Sequence, residues 1–347
     1  MIRSYSYKDF TYTLDNQDRI KIIHPKKEEK SLFKYYPASM YSIKALMEHY
    51  LYASHPIQFN DIMDCSMYLM DLNNITKEKY DKFYDGFAKN DFPVKPYDND
   101  KEQNFDCFRT YFYIWHLSHL GVISLTDNSL HPLMWAHYAH ETGFAIQFNT
   151  LELKKSLNDL NNDIKYWDLH PVQYCEELKP VRVLSRNNEL EPVCLAYISN
   201  VKLKDWTYEH EWRLLVQKEN MGYMSGDAVP NKFDIPGKQD RCCYYSPSAI
   251  EAIYLGAHFF GSTYFAPDPS LYKVKEIYIP FINYLFENHN EHLFICCAFN
   301  NSQHQLVRGY YQIKLQRIRR GLFDYQYVDK NIYYINERNT LVKKTKL

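Results

Sequence analysis

The chain has 347 residues, with 41 Lys and Arg against 42 Asp and Glu, so its net charge is −1. That balance excludes a general nucleic-acid binder, which needs an excess of cations against phosphates, though not a local basic patch. With 46% hydrophobic and 17% aromatic residues and only ten glycines, it is neither a disordered chain nor a low-complexity one.

Residues 1–30 are polar and end in Lys26-Lys27-Glu28-Glu29-Lys30, which reads as an arm or edge element. Residues 31–330 read as one elaborated α+β domain, and 331–347 as a strand with a basic tail. The N-terminus has no apolar core of a signal peptide. No run approaches the roughly 18 apolar residues of a membrane span. The eight cysteines include no CxxC pair, which favours reduced thiols in a cytoplasm over a thiolate zinc site.

Leu32 to Tyr36 is short and aromatic, like a strand. Ile43, Leu46, Met47 and Tyr50 form a helical stripe with Ser42 as its N-cap. Leu51 to Ser54 is a second strand, stopped by His55-Pro56. Thr76–Lys89 reads as an exposed helix, 91–106 as a loop, and Phe105–Leu120 as an apolar helix. Gly121–Leu125 reads as a strand, and Pro132–His140 as a short helix with proline at its start. Gly143–Phe148 is another strand and Leu151–Leu160 a helix. Further strands are predicted at 170–175, 180–184, 208–217, 251–255, 272–280 and 306–315. Residues 219–241 read as irregular, and 322–328 with 332–335 as a closing hairpin. Strands and helices without regular alternation point to mixed and antiparallel sheets with packed helices, an α+β class.

Three stretches could carry chemistry. In Trp206–Val216, strand alternation puts Glu209, Glu211 and Arg213 on one face. That face is either solvated and ion-paired or a Glu-x-Glu cleft whose carboxylate binds a substrate hydroxyl. In Tyr52–Asp61, Ser54 and Asn60 follow a strand end and a corner, either as turn-makers or at the mouth of a cleft. In His131–His140, Trp135 and Tyr138 share one helix face, and His137 and His140 another. His116 and His119 repeat that spacing. Neither histidine pair has the glutamate of HExxH, so core or capping roles are favoured over a metal. GxGxxG, GxxxxGK[ST] and GxSxG are all absent. The basic residues Lys314, Arg317, Arg319 and Arg320 read as a solvated surface.

Taken together, these pieces resemble an uncharacterised bacterial family, domain of unknown function 2971. The pieces are Leu32–Tyr35; Leu51–Pro56 with Phe59-Asn60-Asp61 and Asp64-Cys65; Leu133–Ala139 with Gly143-Phe144; Trp206–Arg213; and Ile250–Gly256. The resemblance spans roughly 32–327. Tyr36 stands where the family has an arginine, Ile62-Met63 where it has Pro-Phe, and 140–143 is shortened. More loosely, the layout resembles ADP-ribosyltransferases, which implies a split sheet, NAD as substrate and a macromolecular target, protein or nucleic acid, in a toxin or phage-defence setting. Carried over, Tyr36 takes the arginine's place, Ser54 or Tyr52 the second place and Glu211 the third, with Glu209 beside it. Tyr52, Trp135 and Tyr138 would stack on nicotinamide, Lys34 would face the pyrophosphate, and Asn60 and Arg213 would complete the site. From the cysteine and histidine spacings no metal is expected. Two other classes remain open: a non-catalytic nucleotide- or partner-binding module around Trp135, and a metal-dependent hydrolase using His137 and His140.

Overall fold

A computed structural model describes residues 4–16, 20–73, 75–88, 96–115, 120–182, 192–218, 221, 241–260, 264–268, 271–274, 278–300, 304–319, 322–329, 331–335 and 341–344. It is an α+β fold. Among the described residues, thirteen strands join one large sheet. From one edge its path runs Ile164–Pro171, Glu211–Lys218, Leu120–Thr126, Ser31–Tyr36, Phe144–Asn149, Ile250–Leu255, Leu293–Asn300, Leu306–Arg319, Leu322–Tyr327, Leu271–Val274 and Tyr264–Asp268. Neighbours are antiparallel except Ile250–Leu255 against Leu293–Asn300, so the sheet is mixed.

One junction in that sheet is nearly open. The strand Ser31–Tyr36 pairs with Phe144–Asn149 along its whole length. Against Leu120–Thr126 it pairs only at Phe33 and Thr126, and beyond that pair the two strands part. Ser54 closes the far end of the gap through a two-way backbone bridge to Val122, at 3.0 and 2.9 Å.

Alternation along the central strands makes two cores. Leu32, Tyr36, Ile123, Leu125, Phe144, Ile146, Phe148, Trp212, Leu214 and Val216 bury one face. Helices Met40–Met47, Thr150–Leu160 and Ile279–Asn288 pack on it through Ile43, Leu46, Leu153, Leu157, Phe281 and Leu285. Phe33, Tyr35, Ala145, Tyr254, Phe294 and Tyr310 bury the other face against Met134, Trp135 and Ala139.

Several expectations change. The polar N-terminus is a three-stranded antiparallel sheet of Ser4–Tyr7, Phe10–Leu14 and Ile20–Ile23, whose alternate residues Phe10, Tyr12, Leu14 and Ile22 are buried in a third core. The first helix begins at Met40 and its cap is Ser39, whose hydroxyl accepts the Ser42 N–H at 3.2 Å. The strand predicted from 208 begins at Glu211, because Lys204–Glu209 coils as a 3-10 segment and His210 turns with φ 47°. The strand Leu271–Val274 is shorter than predicted, and the Ile279–Asn288 helix takes Pro280 into its first turn. The last six residues of the predicted 91–106 loop belong to helix Lys101–Trp115. Leu322–Tyr327 and Ile332–Ile335 do not form a hairpin with each other: the first pairs with Leu306–Arg319 and Leu271–Val274, the second with Leu306–Arg319 and Leu341–Lys344. Most of 219–241 lies outside the described residues, as do His116, His119 and Arg320. Among the described residues no helix is long and apolar enough to cross a membrane.

Candidate functional site

A cleft of about 370 Å³ opens where the sheet parts. Its lining includes Lys34, Ser54, Asn60, Ser124, Tyr138, Lys202, Glu209 and Glu211, drawn from five separate stretches of chain. Phe33, Tyr35 and Phe59 add aromatic surface, and Asp64 and His137 add polar groups.

Lys202 is the hinge of the polar wall. It lies in the short strand Val201–Leu203 and is 4% exposed. Its ammonium donates to Glu209 Oε2 at 2.5 Å and to Glu211 Oε2 at 3.3 Å, and lies 3.5 Å from Asp64 Oδ2. Arg213, 1% exposed, stands behind. Its Nε donates to Glu211 Oε1 at 2.9 Å, its Nη2 to Glu211 Oε2 at 3.1 Å and also to Asp64 Oδ2, and its Nη1 to the Ser199 carbonyl at 2.8 Å. Two buried cations thus meet three buried carboxylates, and each desolvated charge has a partner.

The two glutamates differ in their bonding. Glu211 carries both Arg213 and Lys202. Burial pushes its carboxyl up, but Arg213 and then Lys202 outweigh burial and hold it well below the usual range. Glu209 has Lys202 on one oxygen and the Tyr138 hydroxyl on the other. For it burial wins: with Glu211 beside it, its carboxyl is raised above the usual value, although Lys202 and Tyr138 pull it down. Of the two neighbouring carboxyls, Glu211 is therefore the more acidic and Glu209 the stronger base, and such a difference lets paired carboxyls take different roles. Among the described residues Asp64 Oδ1, buried at the cleft wall, has no hydrogen-bond partner, leaving an acceptor available to a bound group.

Lys34 reaches into the parting of the strands. Its ammonium donates to the Ser124 carbonyl at 3.1 Å and lies 5.5 Å from the centre of the Tyr36 ring. Burial pushes it down to about 8, with Glu211 pulling the other way. It remains mostly cationic at neutral pH.

The cleft gathers Lys34, Ser54, Asn60, Tyr138, Glu209 and Glu211, while Arg213 braces it from behind. Tyr36 is elsewhere: its ring stacks on Phe144 at 5.3 Å in the core. Tyr52 sits in the strand Tyr50–Tyr52, paired to Cys242–Tyr244, and does not line the cleft. Trp135 is fully buried, and its indole N–H donates to the Ser129 carbonyl at 2.7 Å. A π turn over Trp135–Ala139 separates the faces of Trp135 and Tyr138 that an α-helix would share. His137 lines the cleft, whereas His140 lies beyond the turn with a left-handed backbone, its Nδ1 3.3 Å from the Ala136 carbonyl. Among the described residues no three His, Cys, Asp or Glu side chains gather as a metal-ligand set.

Sequence reading named Phe59 and Asp64 only as pieces of the family resemblance, not as site residues, and missed Lys202. Lys202 had a signal: a lysine between Val201 and Leu203 in a strand-like run, just ahead of Glu209 and Glu211.

Residues 134–214 match the family model described as a protein of unknown function, DUF2971. The match starts at the π turn and ends just past Arg213, so it includes Tyr138, Lys202, Glu209 and Glu211. It is narrower than the span of roughly 32–327 expected from the sequence. No curated protein and no solved structure matches the chain.

Proposed function

We propose that the cleft cleaves the bond between nicotinamide and ribose in NAD and passes the ADP-ribosyl group to a macromolecular target. The observation that carries this reading is the Glu209–Glu211 pair, side by side on Lys202 with their acidities pushed apart. As the glycosidic bond breaks, its electron pair leaves with nicotinamide and positive charge develops on the ribose. A fixed, ionised Glu211 stabilises that charge, an electrostatic role that needs no reorganisation at the moment of reaction. Glu209 takes the proton of the incoming hydroxyl as the new bond forms, and the Tyr138 hydroxyl fixes its orientation. The free Asp64 oxygen is an acceptor for a ribose hydroxyl, Phe59 offers a ring face for stacking, and Lys34 is a cation for the pyrophosphate.

The test is nicotinamide release from NAD by the purified chain, with and without nucleic-acid and protein acceptors. Glu211→Gln should lower the rate by about 10²–10³-fold, the usual effect of removing one preorganised electrostatic group. A wild-type chain that releases no nicotinamide, or a Glu211→Gln variant as active as wild type, overturns the reading.

One observation favours a second reading, a nucleotide-binding module without turnover. Both oxygens of Glu211 already carry donors from Arg213 and Lys202. In that case NAD and ADP-ribose raise the melting temperature while no nicotinamide appears.

A further inference from the structure

Tyr138 meets Glu209 from an unusual turn. The Trp135–Ala139 π turn is followed by His140 at φ 53° and Glu141 at φ 56°. Two consecutive non-glycine residues in the left-handed region are uncommon, because Cβ crowds the following carbonyl, and they persist only where the surroundings dictate them. Those surroundings are visible on the main chain of Glu141. Its N–H donates to the Trp135 carbonyl at 3.1 Å, and its own carbonyl accepts the His258 N–H at 2.8 Å. Gly256 lies so close that a Cβ there would be 2.3 Å from the Glu141 carbonyl oxygen.

The side chain of Glu141 is held from farther away. Arg308, in the long strand Leu306–Arg319, grips it with two parallel bonds, Nη1 to Oε2 at 2.9 Å and Nη2 to Oε1 at 2.5 Å. The pair is partly buried, at 20% and 25% side-chain exposure. The guanidinium also lies over the Trp135 ring at 5.9 Å. Arg308 thus touches both ends of the turn that carries Tyr138, although it lies outside residues 134–214 and does not line the cleft.

We propose that Arg308, acting through Glu141, is a positioning residue that holds this turn so that the Tyr138 hydroxyl stays on Glu209. A planar fork suits this role, since two parallel bonds fix orientation as well as distance, which a lysine cannot do. The inference takes its catalytic meaning from the proposed reading of Glu209, but its test does not need activity.

Glutamate is labelled with ¹³C at its carboxyl carbons, and the Glu209 signal is assigned as the one missing from Glu209→Gln. Its titration is then followed in wild type, Tyr138→Phe, Arg308→Gln, Glu141→Gln and the Arg308→Gln/Tyr138→Phe double variant. A hydroxyl donating to the ionised carboxyl favours ionisation, so Tyr138→Phe should move the midpoint upward. Arg308→Gln and Glu141→Gln should move it the same way, and the double variant no farther than Tyr138→Phe alone. If Arg308→Gln does not fold, Glu141→Gln decides. A wild-type midpoint in folded Arg308→Gln or Glu141→Gln, no shift in Tyr138→Phe, or shifts that add in the double variant would each overturn the inference. Absence of nicotinamide release, with the midpoint still responding to Arg308, sinks only the proposed reaction.

Discussion

Lys202 keeps two adjacent carboxylates compatible with burial. Removing one partner of a buried ion pair leaves an uncompensated charge, at a cost of about 3–5 kcal/mol. Lys202→Met should cost about that much at pH 8, read by urea unfolding, and less at pH 5. The sign follows from the two glutamates. Glu211 titrates below its usual 4.5, so its contribution is complete above that value and is lost as pH falls toward about 2. Glu209 titrates above 4.5, so the stability its proton contributes is present below 4.5 and is lost as pH rises through the raised value. Without the ammonium, which lowers it, Glu209 rises farther and takes up its proton more readily as pH falls, which spares the variant on the acid side. An equal loss at both pH values would mean that Lys202 does not compensate these carboxylates. The acidic pair was legible in sequence because Glu209 and Glu211 are two residues apart. Asp64 and Lys202 were not, since their charges meet the pair only through the fold. Trp135 and Tyr36 were legible as aromatic residues, but the face each occupies is set by a π turn in one case and, in the other, by the side of the sheet on which the core packs.

The site depends on how a few elements meet. Gly143 ends the turn after Tyr138 and leads into Phe144–Asn149. A Cβ at Gly143 would lie 2.0 Å from the Tyr36 carbonyl oxygen, 2.9 Å from the Ala139 carbonyl oxygen and 2.9 Å from Pro37 Cα. All three are backbone atoms, so no rotamer relieves the clash. Gly143→Ala should lower stability by about 1–3 kcal/mol, the usual range for overpacking, or by more. A chemical melt no different from wild type would show that the strand and the turn are not held this closely. The same geometry explains which elements were hard to read. Leu293-Phe294-Ile295-Cys296-Cys297-Ala298 is a continuous apolar run, and such a run fits a buried strand or a buried helix equally well. The Ile279–Asn288 helix follows a strand-like apolar stretch, and Pro280 looks like a stop when it is a first-turn residue that needs no N–H partner. Partner choice within the sheet was illegible for another reason: pairing of 322–327 with 306–319 is fixed by burial on a long strand and not by the short connection to 332–335.

At the scale of the molecule, the N-terminal sheet covers a core of its own. Tyr12 is fully buried, with its ring edge-on to Tyr197 at 5.7 Å. Its hydroxyl donates to Gln173 Oε1 at 2.8 Å and accepts from Asn200 Nδ2 at 3.2 Å. Gln173 in turn donates to the Tyr7 carbonyl at 2.5 Å. Gln173 is the first residue of the strand Gln173–Cys175 and Asn200 immediately precedes Val201–Leu203; the two strands pair in parallel, and Lys202 lies in the second. The N-terminal sheet therefore backs the strand that supplies the ammonium of the cleft. A polar, lysine-rich run hides this, because its apolar residues Phe10, Tyr12, Leu14 and Ile22 alternate with Thr and Lys, and the burial of one strand face is visible only once a partner is known. Tyr12→Phe removes one hydroxyl and leaves the Gln173 oxygen buried without its donor, for a loss of about 1–3 kcal/mol. Tyr12→Ala also empties a ring-sized space, and the expected loss rises to about 3–5 kcal/mol. If the N-terminus were a detachable arm, both variants would unfold at the wild-type urea midpoint. On the packing described, both midpoints fall, in the order wild type, Phe, Ala. Because the sheet backs Lys202, the proposed reaction predicts that any nicotinamide release falls with Tyr12→Ala even at temperatures where that variant is still folded.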